Sequence, residues 1–139
     1  MPYEEMMLVP MRLEVTRLGV RELRSAREVD QFLSESGSRF VFINSVCGCA
    51  AGQARPGLAM ALSNGAAKPD AMATVFAGQD IEATARLREG LAGIAPSSPS
   101  AALFKDGELV WFIPRMEFIE RSADEVASRF TDAFERHCG

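Results

Sequence analysis

Apolar residues along the chain fall into two spacings. Phe40-Val41-Phe42-Ile43 is a short aromatic and β-branched run, the pattern of a buried strand. Ala73-Thr74-Val75-Phe76-Ala77 repeats it. Ala101 to Phe104 and Leu109 to Ile113 flank Asp106-Gly107, a dipeptide suited to a tight hairpin turn. Helical spacing fills the gaps between these runs. Ser25-Ala26-Arg27-Glu28 has the form of a capping box and opens a helix through about Glu35, with Val29, Phe32 and Leu33 on one face. Ala50 to Leu62 is Ala-rich and helical in character, and Pro56 predicts a kink in it. Gly78 precedes a helix from about Asp80 to Leu91. Ser122-Ala123-Asp124-Glu125 is a second capping box, and behind it Val126, Phe130 and Phe134 recur every fourth residue as an apolar stripe. Near the start, Glu4 to Leu18 reads as helix interrupted by Pro10.

The order is strand, helix, strand, helix, hairpin, helix, after a helical extension over about residues 1–36. A βαβ unit followed by a ββα unit predicts an α/β fold, with a central mixed four-stranded sheet flanked by helices on both faces. The first two strands are expected to be parallel with a right-handed crossover, and the last two antiparallel. The 139 residues suit one domain, and no repeat or long linker divides them. Length and order together suggest the thioredoxin architecture.

Composition removes several function classes. Fifteen Lys and Arg against nineteen Asp and Glu leave a net charge of -4, without the basic footprint of a nucleic-acid binder. Met1-Pro2-Tyr3-Glu4-Glu5 places acid where a secretory signal carries base, and apolar runs are too short and interrupted for a membrane span. The expectation is a cytoplasmic protein, a compartment in which thiols are kept reduced. Three cysteines do not make a disulfide framework, so the closely spaced Cys47 and Cys49 point to redox catalysis or metal binding.

Cys47 stands just past the first strand, where the chain turns into a helix. Unpaired N–H groups at a helix N-terminus favour thiolate over thiol, and such placement can lower a free thiol from about 8.5 to roughly 3.5–7.5. Gly48 leaves open approach for a substrate backbone and relaxes the dihedrals that bring the two sulfurs together. Residues two apart in a helix-like turn have Cα atoms roughly 5–6 Å apart, inside the disulfide window. The small ring such a pair closes is expected to be strained and easily reduced. Ser98-Pro99-Ser100 precedes the third strand, and a cis Ser98–Pro99 bond there would leave an open backbone edge beside the cysteines.

Asn44-Ser45-Val46-Cys47-Gly48-Cys49-Ala50-Ala51-Gly52, with Ala54-Arg55-Pro56, resembles the signature of the bacilliredoxins. So do Val75-Phe76-Ala77-Gly78-Gln79-Asp80, Ala95-Pro96-Ser97-Ser98-Pro99-Ser100 and Phe112-Ile113-Pro114-Arg115, and the similarity extends over essentially the whole chain. The resemblance implies a thioredoxin-like reductase of mixed disulfides between client proteins and bacillithiol. No bound cofactor is implied; bacillithiol is the thiol co-substrate. Cys47 matches the attacking cysteine, which takes bacillithiol onto itself and frees the client. Cys49 matches the resolving cysteine, and Pro99 the cis-proline facing the site. The sequence departs from the family pattern at Met116, where relatives commonly carry histidine, and at Trp111, which replaces a smaller polar residue or histidine.

Arg55 has two readings: contact with a carboxylate of bacillithiol, or an ion-paired helix arginine. Arg115 has the same two. Other functions remain open on sequence. One is a general protein disulfide reductase or isomerase of the same fold. Another is a metal-binding module in which His137 and Cys138 complete a set with Cys47 and Cys49, against which stands the unusual ligand spacing. The methionines read mainly as packing residues, although Met6-Met7-Leu8-Val9 would also suit a dimer contact.

Overall fold

The structure, a computed structural model, describes residues 3–65 and 67–138. Helices α1 (Glu5–Thr16) and α2 (Ala26–Ser34) bracket a short strand β1 (Arg21–Glu22). Strand β2 (Ser38–Asn44) then leads to a π-helical turn (Ala50–Ala54) and helix α3 (Arg55–Ser63). Next come β3 (Ala71–Phe76), α4 (Ile81–Glu89), β4 (Ser100–Lys105), β5 (Glu108–Ile113), α5 (Met116–Ile119) and α6 (Ala123–Cys138).

The sheet has five strands in the order β1-β3-β2-β4-β5, one more than the four expected. The extra strand is the two-residue β1, parallel to β3 through Arg21 opposite Ala73 and Glu22 opposite Thr74. Two charged residues at a sheet edge carry no hydrophobic alternation, so no pattern announces them. The expected pairings hold: β2 is parallel to β3, β2 antiparallel to β4, and β4 antiparallel to β5. Asp106 and Gly107 turn the β4–β5 hairpin with φ of 50° and 86°, the positive values that a two-residue turn demands.

The unbroken apolar run of β2 follows from its central place. Phe40 and Phe42 point to one face, where Leu58, Val126, Phe130 and Phe134 of α3 and α6 cover them. Val41 and Ile43 point to the other, against Val29 and Phe32 of α2 and Ala83 and Leu87 of α4. Phe40 meets Phe130 and Phe134 edge-to-face, with ring centroids 5.6 and 5.2 Å apart. The Ser122 capping box closes fully, and the Ser25 one in half. Ser122 and Glu125 exchange backbone-to-side-chain bonds reciprocally. Ser25 accepts from the Glu28 N–H, while the Glu28 carboxylate accepts from Arg24 rather than from Ser25 itself.

Two prolines behave differently from expectation. Pro10 does not interrupt α1: it lies inside the helix, on an exposed stretch where water can take the carbonyl that its ring leaves without a donor. Pro56 opens α3, and the irregularity it imposes takes the form of the π-helical turn before it rather than a bend within one helix. Among the methionines, Met72 packs against the core as expected, whereas Met6, Met7, Met60 and Met116 depart from the packing role and are exposed.

A buried charge cluster ties the N-terminal helix to the sheet. Arg12, on the inner side of α1, meets Asp80 through two bonds of 2.9 and 3.0 Å and also reaches Glu5 and Glu22. Asp80 in turn accepts from the Phe76 N–H at the end of β3. This brings α1 alongside the end of β2, where Met11 accepts from the Asn44 amide.

Candidate active site

The C-terminal ends of β2 and β3, the start of β4 and the end of β5 share one edge of the sheet. Asn44 pairs with Phe76, Ile43 with Ser100, and Ala101 with Ile113. Three chain segments therefore leave the sheet together: Ser45-Val46-Cys47 beyond β2, Ser97-Ser98-Pro99 before β4, and Pro114-Arg115 beyond β5. Open α/β sheets place their ligand sites beyond the carboxyl ends of the parallel strands, and here that edge carries the cysteine pair.

Helical conformation begins at Gly48, so Cys47 is the residue immediately ahead of the helical turn. Its carbonyl accepts from the N–H groups of Ala50 and Ala51, at 3.1 and 3.3 Å, and its own N–H donates to Ser45 Oγ at 3.2 Å. Both cysteines are free thiols, half-buried, with their Sγ atoms 2.6 Å apart. Burial opposes ionisation of Cys47. Hydrogen bonds from the Cys49 thiol, the Ala50 N–H, the Ser45 hydroxyl and the Cys49 N–H outweigh it, so its pKa lies below that of an ordinary thiol. Cys49 moves the other way: burial and the bond it gives to Cys47 raise its pKa, while Arg115 opposes the rise. One sulfur is thus set to ionise first, and its neighbour holds a proton for it.

Gly48 is exposed, has no positive φ, and has nothing within 4 Å of where a Cβ would stand. What glycine provides here is open space above the pair, not conformational freedom. The Ser98–Pro99 bond is cis, as expected, with Pro99 buried and Ser98 half-buried. Ser97 braces this loop, accepting through its carbonyl from the Ser100 hydroxyl at 2.9 Å and from Arg88 at 3.3 Å.

Arg55 lies beneath the loop rather than at its open face. It is 3% exposed, and its guanidinium donates to Glu14 at 2.6 Å, to Asn44 Oδ1 at 2.9 Å and to the Ser45 carbonyl at 2.8 Å. This burial and the pairing with Glu14 match the ion-paired reading of Arg55. Asn44 is the residue the sequence reading passed over. Its side chain accepts from the Ser45 N–H and from Arg55 while donating to Met11, so it joins α1, β2 and α3 under the reactive loop. An amide closing an otherwise apolar strand was the signal.

The metal set does not assemble. Cys138 ends α6 beside Ser38, and Lys105 bonds the His137 carbonyl at 3.3 Å, both at the opposite end of β2 and β4 from Cys47. The length of β2 keeps them roughly 20 Å away. Among the described residues no group of three or more His, Cys, Asp or Glu is arranged to hold a metal ion. Nor, among them, is any helix long and apolar enough to cross a membrane.

Comparison with known proteins agrees with this geometry. Residues 3–138 match the family described as disulphide isomerase. The chain is 50% identical to a bacilliredoxin of Geobacillus kaustophilus, over 100% of this chain and 99% of that protein. It is 52% identical to one of Salinibacter ruber, over 100% and 83%. Among solved structures, the thioredoxin of Malassezia sympodialis superposes with a TM-score of 0.59 at 16% identity, covering 85% of this chain and 90% of that one. The thioredoxin of Fasciola hepatica gives 0.57 at 18% identity, covering 85% and 99%. A closely spaced pair of free cysteines at the sheet edge of a thioredoxin fold, with relatives of this similarity along its whole length, fixes the assignment: the chain belongs to the bacilliredoxin family of thiol–disulfide oxidoreductases.

Proposed function

We propose that the protein reduces mixed disulfides between cytoplasmic client proteins and bacillithiol, with no bound cofactor and with bacillithiol as the released co-substrate. The observation that carries this reading is the asymmetry of the pair: the Cys47 pKa is lowered and the Cys49 pKa raised, at a sheet edge shared with cis-Pro99. The Cys47 thiolate attacks the bacillithiol sulfur of the mixed disulfide. A Cys47–bacillithiol bond forms, and the client leaves as a thiolate that takes a proton from water. Cys49, having lost its proton, then attacks Cys47 Sγ, closing the Cys47–Cys49 disulfide and expelling bacillithiol. Gly48 leaves room for the incoming chain, and Ser98 with Pro99 offers it a backbone edge. The bacilliredoxin names of the relatives support bacillithiol as the small thiol.

The test is release of bacillithiol from an S-bacillithiolated protein, followed by intact-mass spectrometry. Cys47→Ser should abolish release, and Cys49→Ser should accumulate enzyme carrying bacillithiol on Cys47. Unchanged release by Cys47→Ser would overturn the assignment. The disulphide isomerase description of the matched family favours a second reading, a general reductase or isomerase of protein disulfides. Equal rates on bacillithiol, glutathione and cysteine adducts of one client, together with refolding of a scrambled disulfide protein, would support it.

A further inference from the structure

The exchange reaction needs two thiolates in succession, and the structure provides differently for each. Cys47 is served by Ser45, Cys49 and backbone N–H groups, all upstream of α3. Once Cys47 is tied up in a mixed disulfide, it no longer has a thiolate to accept the Cys49 proton. Among the described residues, the cation that acts on Cys49 is Arg115. Its backbone N–H donates to Ser97 Oγ at 3.3 Å, beside the cis Ser98–Pro99 bond. It immediately precedes α5, which packs on the Ala50–Ala54 turn that follows Cys49. From this position the guanidinium stands close enough to act electrostatically on both cysteine sulfurs, and it opposes the rise in the Cys49 pKa.

Arg115 differs in this from the arginines around it. Arg12 is paired with Glu5, Glu22 and Asp80, Arg55 with Glu14, Asn44 and the Ser45 carbonyl, and Arg129 and Arg121 both hold Glu117 of α5. Among the described residues Arg115 has no carboxylate partner and spends its charge on the thiols. The other charged groups of the surrounding elements are turned elsewhere: Glu14 to Arg55, Glu117 to Arg121 and Arg129, and Arg88 to the Ser97 carbonyl.

We propose that Arg115 is a catalytic residue of the second step, the cation against which Cys49 ionises to resolve the Cys47 mixed disulfide. This rests on Cys47 attacking first and Cys49 resolving, as proposed above, but not on the identity of the small thiol. The Cys49 proton goes to water and the Cys49 thiolate is held against the guanidinium. Its electron pair forms the Cys49–Cys47 bond as the Cys47–thiol bond breaks, and the expelled thiolate is protonated by water. Arg115 exchanges no proton at any point.

The test uses the reduced full-length protein with Cys138→Ser and an uncharged chromogenic probe, dipyridyl disulfide. The first equivalent of pyridinethione released reports attack by Cys47, and the second reports resolution by Cys49. Arg115→Met should slow the second phase about three- to tenfold more than the first at neutral pH, the scale of losing one solvent-screened cation at contact distance. The pH profile of that phase should move to higher pH, so that wild type and variant converge in alkali. Arg115→Lys should recover most of the rate. Equal slowing of both phases with an unmoved pH profile, or an unaffected second phase, would overturn the proposal. A wild-type protein lacking the second phase altogether would instead refute resolution by Cys49, and this role with it. A protein that shows both phases but is indifferent to bacillithiol would refute only the substrate reading.

Discussion

Replacing Arg55 with methionine tests whether the floor of the reactive loop is built as described. The side chain is 3% exposed and makes three close hydrogen bonds, but their losses are unequal. Glu14 is 40% exposed, so water replaces the guanidinium there and that pair contributes at most about 1 kcal/mol. Asn44 and Ser45 are 1% and 8% exposed, and no water takes over at their oxygens. Asn44 Oδ1 keeps its bond from the Ser45 N–H, so its loss is partial, whereas the Ser45 carbonyl loses a charged donor at 2.8 Å outright. At about 1–3 kcal/mol for a stranded buried acceptor, and with some relief from burying an apolar chain instead of a cation, the net cost is about 2–3 kcal/mol. That corresponds to a fall in Tm of roughly 6–12 °C for a chain of this size.

The same substitution has a chemical consequence. Ser45 is one of the groups that hold the Cys47 pKa down, so loosening it should move the pH profile of Cys47 alkylation upward. Arg55→Lys keeps a charge without the planar fork and should fall between the two. Urea denaturation and pH-resolved alkylation measure the two effects. A variant that kept wild-type stability within about 0.5 kcal/mol while its KM for a bacillithiol adduct rose would refute this account. It would return Arg55 to the substrate-binding role that the sequence also allowed.

Two further predictions concern packing and titration. A Cβ at Gly57 would stand inside contact distance of Val126 Cγ1 and 2.7 Å from Val126 Cβ, where α3 crosses α6. Overpacking costs about 1–3 kcal/mol against the roughly 1 kcal/mol that alanine contributes in a helix, so Gly57→Ala should destabilise by up to about 2 kcal/mol in chemical denaturation, and by less in a Val126→Ala background; a net stabilisation would show that α6 yields. The lowered Cys47 pKa means that its thiolate persists as pH falls below the ordinary thiol range, whereas burial first, and then Asp70, push Cys138 the other way. Iodoacetamide labelling of the reduced protein, read by peptide mass spectrometry near neutral pH, should therefore modify Cys47 at least tenfold faster than Cys138, and earlier labelling of Cys138 or Cys49 would contradict the geometry.

What the sequence made legible was local or periodic. The buried β2, the capping boxes at Ser25 and Ser122, the stripe through Phe130 and Phe134 and the hairpin at Asp106-Gly107 each follow from residues within a few positions of one another. The cysteine pair was legible for the same reason, since its position at a strand-to-helix junction is a local fact. The arginines were not. Arg55 and Glu14 lie 41 positions apart, and Arg12 and Asp80 lie 68 apart; no spacing rule connects them, because tertiary approach decides which carboxylate a long cationic chain meets. Arg115 comes within electrostatic range of Cys49 because β5 and β2 end at one edge of the sheet, a consequence of the β2-β4-β5 pairing. Two arginines with identical readings in sequence thus separate in space. Arg55 is enclosed by Glu14, Asn44 and Ser45 and shapes the loop that activates Cys47, while Arg115, without a carboxylate partner among the described residues, is left to act on the sulfur that must ionise second. Burial and partner, not position in the chain, decide which of the two cations takes part in the chemistry.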